Sequence, residues 1–94
     1  MKHYIIGKFR SDIPDKAKTV AEIRKLFTTA TEIPGVKSAE IVENCVQRDN
    51  RYDVMIILTM EPSALDAWDH SGLHHRWKEE YGGLLEKKAI FDQP

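Results

Sequence analysis

The segment Asp69-His70-Ser71-Gly72-Leu73-His74-His75 gathers three of the chain's four histidines into six positions. Imidazole takes and gives a proton near neutral pH because its unperturbed pKa is about 6.5. A histidine at a helix entry that faces a cavity is therefore a candidate acid/base group; turned to solvent, it is a polar surface residue. His70 and His74 stand four apart, a spacing at which two ligands on one helix can share a metal. Ser71-Gly72 interrupts that helix, and no third carboxylate or histidine completes the set. Trp68, Trp77, Tyr81 and Phe91, with Ile5 and His70, are candidates for the wall of a small-molecule pocket, the alternative being ordinary core. Gly7 lies inside an apolar strand, where glycine costs stability and marks close backbone approach; beside Ile5 it would enlarge such a pocket.

The elements that must position these residues come from 94 residues, enough for one domain over 1–94 with a thin core. With 14 Lys and Arg against 15 Asp and Glu, the chain has no basic excess, which argues against a nucleic-acid partner. The lysines and arginines, Lys87 and Lys88 among them, read as a solvated face. The single cysteine, Cys45, reads as part of a strand, so no disulfide framework or thiolate metal site is available and a reducing compartment is implied. Met1 to Gly7 lacks the apolar core of a signal peptide, and no run approaches the ~18 apolar residues of a membrane span. The expectation is a soluble cytoplasmic protein without a membrane partner.

His3 to Phe9 predicts a strand of β-branched and aromatic residues, closed by Arg10-Ser11-Asp12 and Pro14. Val20, Ile23, Phe27 and Ala30, with Leu26 alongside, recur at helical spacing and give an apolar face wide enough to cover a sheet. Ile33-Pro34-Gly35 ends that helix. Val36 to Gln47 and Tyr52 to Met60 predict two strands joined by the polar turn Arg48-Asp49-Asn50-Arg51. Pro62 to Asp66 starts a short helix in which Ser63 and Asp66 have the spacing of a capping box. A second helix is expected over His75 to Leu85, with Trp77, Tyr81 and Leu84 on one face, and a last strand over Lys88 to Asp92. The order strand-helix-strand-strand-helix-strand predicts an α+β, ferredoxin-like sandwich.

One strand carries a further implication. Val54, Ile56, Leu58 and Met60 point one way, yet Met55 and Ile57 on the opposite face are apolar too. A sheet with helices on one side normally shows polar residues on the other, and this chain supplies only one helical layer. A second copy packed sheet to sheet would cover the remaining face, which predicts a homodimer; the alternative is that Met55 and Ile57 sit under a loop.

Taken together, Lys2-His3-Tyr4-Ile5-Ile6-Gly7-Lys8-Phe9, Ile33-Pro34-Gly35-Val36-Lys37-Ser38, Tyr52-Asp53, Ala64-Leu65-Asp66-Ala67-Trp68, the region of His74, and Ile90-Phe91-Asp92 resemble the stress-responsive A/B barrel domain family over nearly the whole chain. The resemblance implies a dimeric α/β barrel built from two ferredoxin-like sheets. It also implies relatives among cofactor-independent monooxygenases and plant polyketide cyclases. Those cyclases use a histidine base near the start of the last helix, a tyrosine upstream of it and a histidine on the first strand, facing a pocket between helices and sheet. The similar positions here are His74 for the base and His3 for the first-strand histidine. The tyrosine is absent: Ala67 or Trp68 stands there, and the usual His-Pro-x-His turn is His70-Ser71-Gly72-Leu73-His74. The resemblance further implies a cation site on backbone carbonyls where the first helix ends, at Ala30, Ile33 and Val36.

Two functional readings follow. In the favoured one the protein is a dimeric family member without a defined activity, binding a small apolar ligand in the barrel or simply filling it with core. In the other it is a cofactor-independent enzyme, cyclase-like or monooxygenase-like, acting on a small apolar carbonyl compound with His74 as general base. No cofactor is called for by either. The shape of the interior discriminates between them: an open cavity with His74 and His3 facing it favours chemistry, a filled one favours the binding module.

Overall fold

The computed structural model describes residues 1–94. The first strand, β1 (Lys2–Phe9), alternates as its sequence requires: His3, Ile5, Gly7 and Phe9 are buried, while Tyr4, Ile6 and Lys8 are half-buried on the other face. α1 (Lys16–Leu26) begins at Asp15, whose carboxylate accepts from the Lys18 amide at 3.0 Å, and it ends with Arg24 and Lys25 against the negative end of the helix dipole. The expected apolar stripe is buried throughout, but only its first part is α-helical. Phe27–Glu32 tightens into a 3₁₀ segment in which the Thr28 hydroxyl takes the Lys25 carbonyl.

β2 (Val36–Glu43) and β3 (Val54–Met60) follow, then a 3₁₀ turn (Pro62–Ala64), α2 (Leu65–Asp69), α3 (Gly72–Tyr81), a 3₁₀ turn (Gly82–Leu84) and β4 (Leu85–Gln93). The four strands form one antiparallel sheet in the order β2-β3-β1-β4, with the helices on one face, a ferredoxin-like α+β fold. A core of 19 residues lies between the layers, with Trp68, Trp77 and Phe27 packed ring against ring. Gly35 is the one residue with positive φ (86°), and a Cβ there would come within 2.7 Å of Ala64 Cβ, so the turn into β2 packs directly against the 62–64 turn.

Four expectations are corrected. The β2–β3 connection runs from residue 44 to 53 rather than 48 to 51, because the Asn44 side chain takes over the ladder: its amide donates to Tyr52 O and its carbonyl accepts from Val46 N. Cys45 therefore sits exposed in that loop and not in a strand. Ser63 and Asp66 form no capping box; Pro62 opens a 3₁₀ turn that runs straight into α2 without a side-chain cap. α3 starts at Gly72, three residues early, since Ser71 caps it by accepting from His74 N at 3.0 Å.

The outer sheet face fits the two-faced strand. Met55 and Ile57 are half-buried with no helix over them, while Val42 is 39% exposed and Phe91 62%.

Candidate functional site

Ser71 is the hinge on which the site is built. Its hydroxyl donates to the Trp68 carbonyl at 2.7 Å while accepting the His74 amide, so one side chain closes α2 and opens α3. This sets Trp68, fully buried, edge-on to the His74 ring at a centroid distance of 4.8 Å. The same indole lies 6.4 Å from the ring of His3. Residues 3 and 74, from the first strand and the last helix, thus both approach one tryptophan.

Both imidazoles are fixed through Nδ1. His74 Nδ1 donates to the Asp69 carbonyl at 2.9 Å; a carbonyl can only accept, so the neutral ring carries its proton there and Nε2 keeps a free lone pair. His3, 5% exposed, holds Nδ1 2.5 Å from Asp92 Oδ1 across the β1–β4 ladder. His3 forms no other bond, and no polar side-chain atom is sealed in the interior without a partner, so its Nε2 opens on the adjacent space. Burial, with Lys78 and Lys88 adding to it, holds His74 below the ordinary imidazole value of 6.5, against the opposing pull of Asp69.

That space is a cavity of about 330 Å³ between α2, α3 and the sheet, bordered by both histidines, Ile5, Trp68, Trp77 and, from β4, Lys88, Ile90 and Asp92. Its size is at the lower end of small-molecule sites. Leu65, Asp69 and Lys78 complete the rim.

Other candidates lie elsewhere. Gly7 faces the helical side, but a Cβ on it would meet Leu85 Cδ2 at 3.0 Å and Val54 Cγ1 at 3.3 Å, so Leu85 already occupies the room that glycine leaves. Phe91 is on the opposite sheet face, edge-on to Tyr4, because it has the other parity from Ile90 and Asp92. His70 is exposed at the end of α2, its Nδ1 on the Asp66 carbonyl. Tyr81 stacks on Trp77 and borders a separate depression between α1 and α3; burial there, with Glu22 and Glu80 near, pushes its phenol up. The Ala30 and Ile33 carbonyls accept the amides of Ile33 and Val36, closing the turn on which a cation was expected with Val36. No group of three or more His, Cys, Asp or Glu side chains converges to hold a metal ion.

Asp92, Asp69, Lys78 and Lys88 were not among the residues singled out from sequence. Asp92 had a signal: once β1 and β4 are paired antiparallel, residues 3 and 92 stand opposite each other.

The fold and the cavity define a ferredoxin-like α+β domain with two imidazoles beneath its helices. The model of the Stress Responsive A/B Barrel Domain family matches residues 1–94, and the chain belongs to that family. Among solved structures it is similar to a dimeric protein of unknown function and ferredoxin-like fold from Bacteroides fragilis, with a TM-score of 0.81 at 14% identity over 98% of this chain and 92% of that one. A dimeric ferredoxin-like protein of unknown function from Jannaschia sp. CCS1 gives 0.78 at 18% identity, covering 99% and 96%. The hydroxynitrile lyase of Passiflora edulis gives 0.73 at 14% identity, covering 96% and 87%. At these identities the likeness establishes the fold. No curated protein matches the chain, and no helix is long and apolar enough to cross a membrane.

Proposed function

We propose that the protein is a homodimer, closed through its outer sheet faces, that binds a small and partly apolar carbonyl compound in the cavity of each protomer. The observation that carries the site is the pair His3 and His74 on one 330 Å³ cavity, each anchored through Nδ1, an arrangement that binding requires and that also speaks for the chemistry considered below. Trp68, Trp77 and Ile5 give the cavity an apolar side against which a small molecule can pack, and the polar and charged residues of the rim would orient it. The dimer is supported by the half-buried Ile6, Met55 and Ile57 beside the exposed Val42 and Phe91, and by the dimeric state of two similar structures. Titration with acetophenone, followed by the imidazole NMR resonances, tests the cavity. Saturable shifts at His3 and His74, weakened in His74→Ala, are expected; no movement of either ring at millimolar ketone rejects the reading.

A second reading, proton transfer, is favoured by the His74 tautomer, which leaves Nε2 as a lone-pair base in a partly desolvated position. One structure of similar fold is a hydroxynitrile lyase, so the architecture is compatible with an enzyme. Nε2 would accept a proton from the carbon next to the carbonyl, leaving an enolate that is then reprotonated. Exchange of the methyl protons of acetophenone in D₂O should exceed that of free imidazole and fall to it in His74→Ala. Exchange at the free-imidazole rate in the wild type removes catalysis and leaves binding standing.

A further inference from the structure

We propose that the ligand of the His3–His74 cavity is a carboxylate, with its carbonyl turned toward His3 and its anionic group held at the opposite end by Lys78 and Lys88. This rests on the reading of the cavity as a small-molecule site and adds the charge and orientation of what enters it.

The cavity wall is electrically divided. Lys88, Ile90 and Asp92 alternate along β4 on the face that meets the helices, since they pair with Gly7, Ile5 and His3. Four strand residues put roughly 13 Å between Lys88 and Asp92 along the strand. The chain returns from α3 to β4 through Gly82–Leu84, so the two elements run antiparallel. Lys78, one helical turn beyond His74 on the same helix face, consequently lies toward Lys88, while His74 stands between the ends, within the influence of both lysines. The carboxylates of the rim, Asp92 bonded to His3 and Asp69 before the start of α3, belong to the His3 end, and the ammonium groups to the other. An uncharged ketone has only its dipole with which to orient across this field, a much weaker handle than a full charge. A keto carboxylate has one, with the anion turned away from Asp69 and Asp92.

The lysines are also free to take it. Lys8 and Lys16 are held by Asp49, Arg51 and Asp53, and Lys37 by Glu61. The side chains of Lys78 and Lys88, like those of Lys2, Lys18, Lys25 and Lys87, have no hydrogen-bonding or ion-pair partner in the protein, and of these six lysines only Lys78 and Lys88 border the cavity. The lysine end continues into a second depression of about 230 Å³ that shares Trp77, Lys78 and Lys88 and adds Lys87, with Glu86 its one anion. The room and the charge both extend away from His3.

The test compares 4-acetylbenzoate with its uncharged methyl ester, following tryptophan fluorescence and the imidazole resonances of the whole protein. Both lysines are exposed, and exposed charge pairs are worth up to about fivefold each. The acid is expected to bind about tenfold more tightly than the ester at low ionic strength, with the preference shrinking as salt rises. In Lys78→Met/Lys88→Met the ratio of the two dissociation constants should fall to about one, whatever the ester's own affinity; circular dichroism verifies that the variant is folded. If acid and ester bind the wild type equally and both move His74, the lysine end is wrong and the cavity reading survives. If neither compound moves His3 or His74, the cavity reading falls and this inference with it.

Discussion

Replacing Ile57 by aspartate should split the dimer and leave the protomer folded. Ile57 points away from the helices, between Tyr4 on β1 and Glu40 on β2. In the isolated protomer it is only half-buried. Covering an isoleucine fully is worth roughly 1.5–3 kcal/mol; the interface covers at most about half of this one, and a two-fold interface loses that contribution twice. The loss of about 1.5–3 kcal/mol raises the dissociation constant by roughly 10- to 10²-fold. The new carboxylate must also be desolvated, and in the cross-strand position it faces Glu40 with like charge, so both terms push the same way. Multi-angle light scattering at micromolar protein should show the mass halved, with the far-ultraviolet circular dichroism retained. The adjacent residue is the control: Ile56 is fully buried under the helices, and Ile56→Asp should abolish the folded spectrum itself. An Ile57→Asp protein with unchanged mass and unchanged melting temperature would show that nothing covers this face.

His74 should titrate below the usual imidazole value, because its charged form loses hydration near Trp68 and feels Lys78 and Lys88. The unfolded chain then binds more protons than the folded one just below about pH 6.5, so stability should decline as pH falls through that window, and His74→Ala should flatten this slope; an imidazole resonance titrating at the ordinary value refutes it. Asp92→Ala should cost about 1–3 kcal/mol by leaving the buried His3 Nδ1 without its carboxylate. Thermal denaturation should register this as a drop of at least several degrees, and an unaltered melting temperature would mean that the pair contributes nothing to holding the ring.

The strands and the first helix were legible because their apolar periods are long and consistent: His3-Ile5-Gly7-Phe9 and Val20-Ile23-Leu26-Phe27 each point at the core that the structure contains. Local polar chemistry was harder to read. Val46 and Gln47 suit a strand by type, yet Asn44 captures the neighbouring backbone first, and a side chain in competition with the ladder leaves no trace in periodicity. Ser71 and Ser63 are each followed, three residues on, by a residue that could close a cap, but Pro62 commits the latter segment to a 3₁₀ turn. Within the site, His3, Ile5, Trp68, His74 and Trp77 converge on one cavity. Phe91 falls out of that set because a single step along a strand reverses the face, and the sequence fixes no such parity at the start of β4, where the register shifts opposite Lys8 and Phe9. Lys78 and Lys88 read as ordinary surface charges until α3 and β4 are laid side by side.

The pairing of His3 with Asp92 spans 89 positions, and it has a consequence for how the protein is made. Residue 3 leaves the ribosome 89 positions before the residue it waits for. Until β4 is synthesised, β1 has a bare hydrogen-bonding edge and its buried imidazole has no carboxylate, however well the β2–β3 hairpin has already formed. A product of premature termination would therefore carry most of the core but no assembled site, and its open β1 edge would be free to recruit a foreign strand.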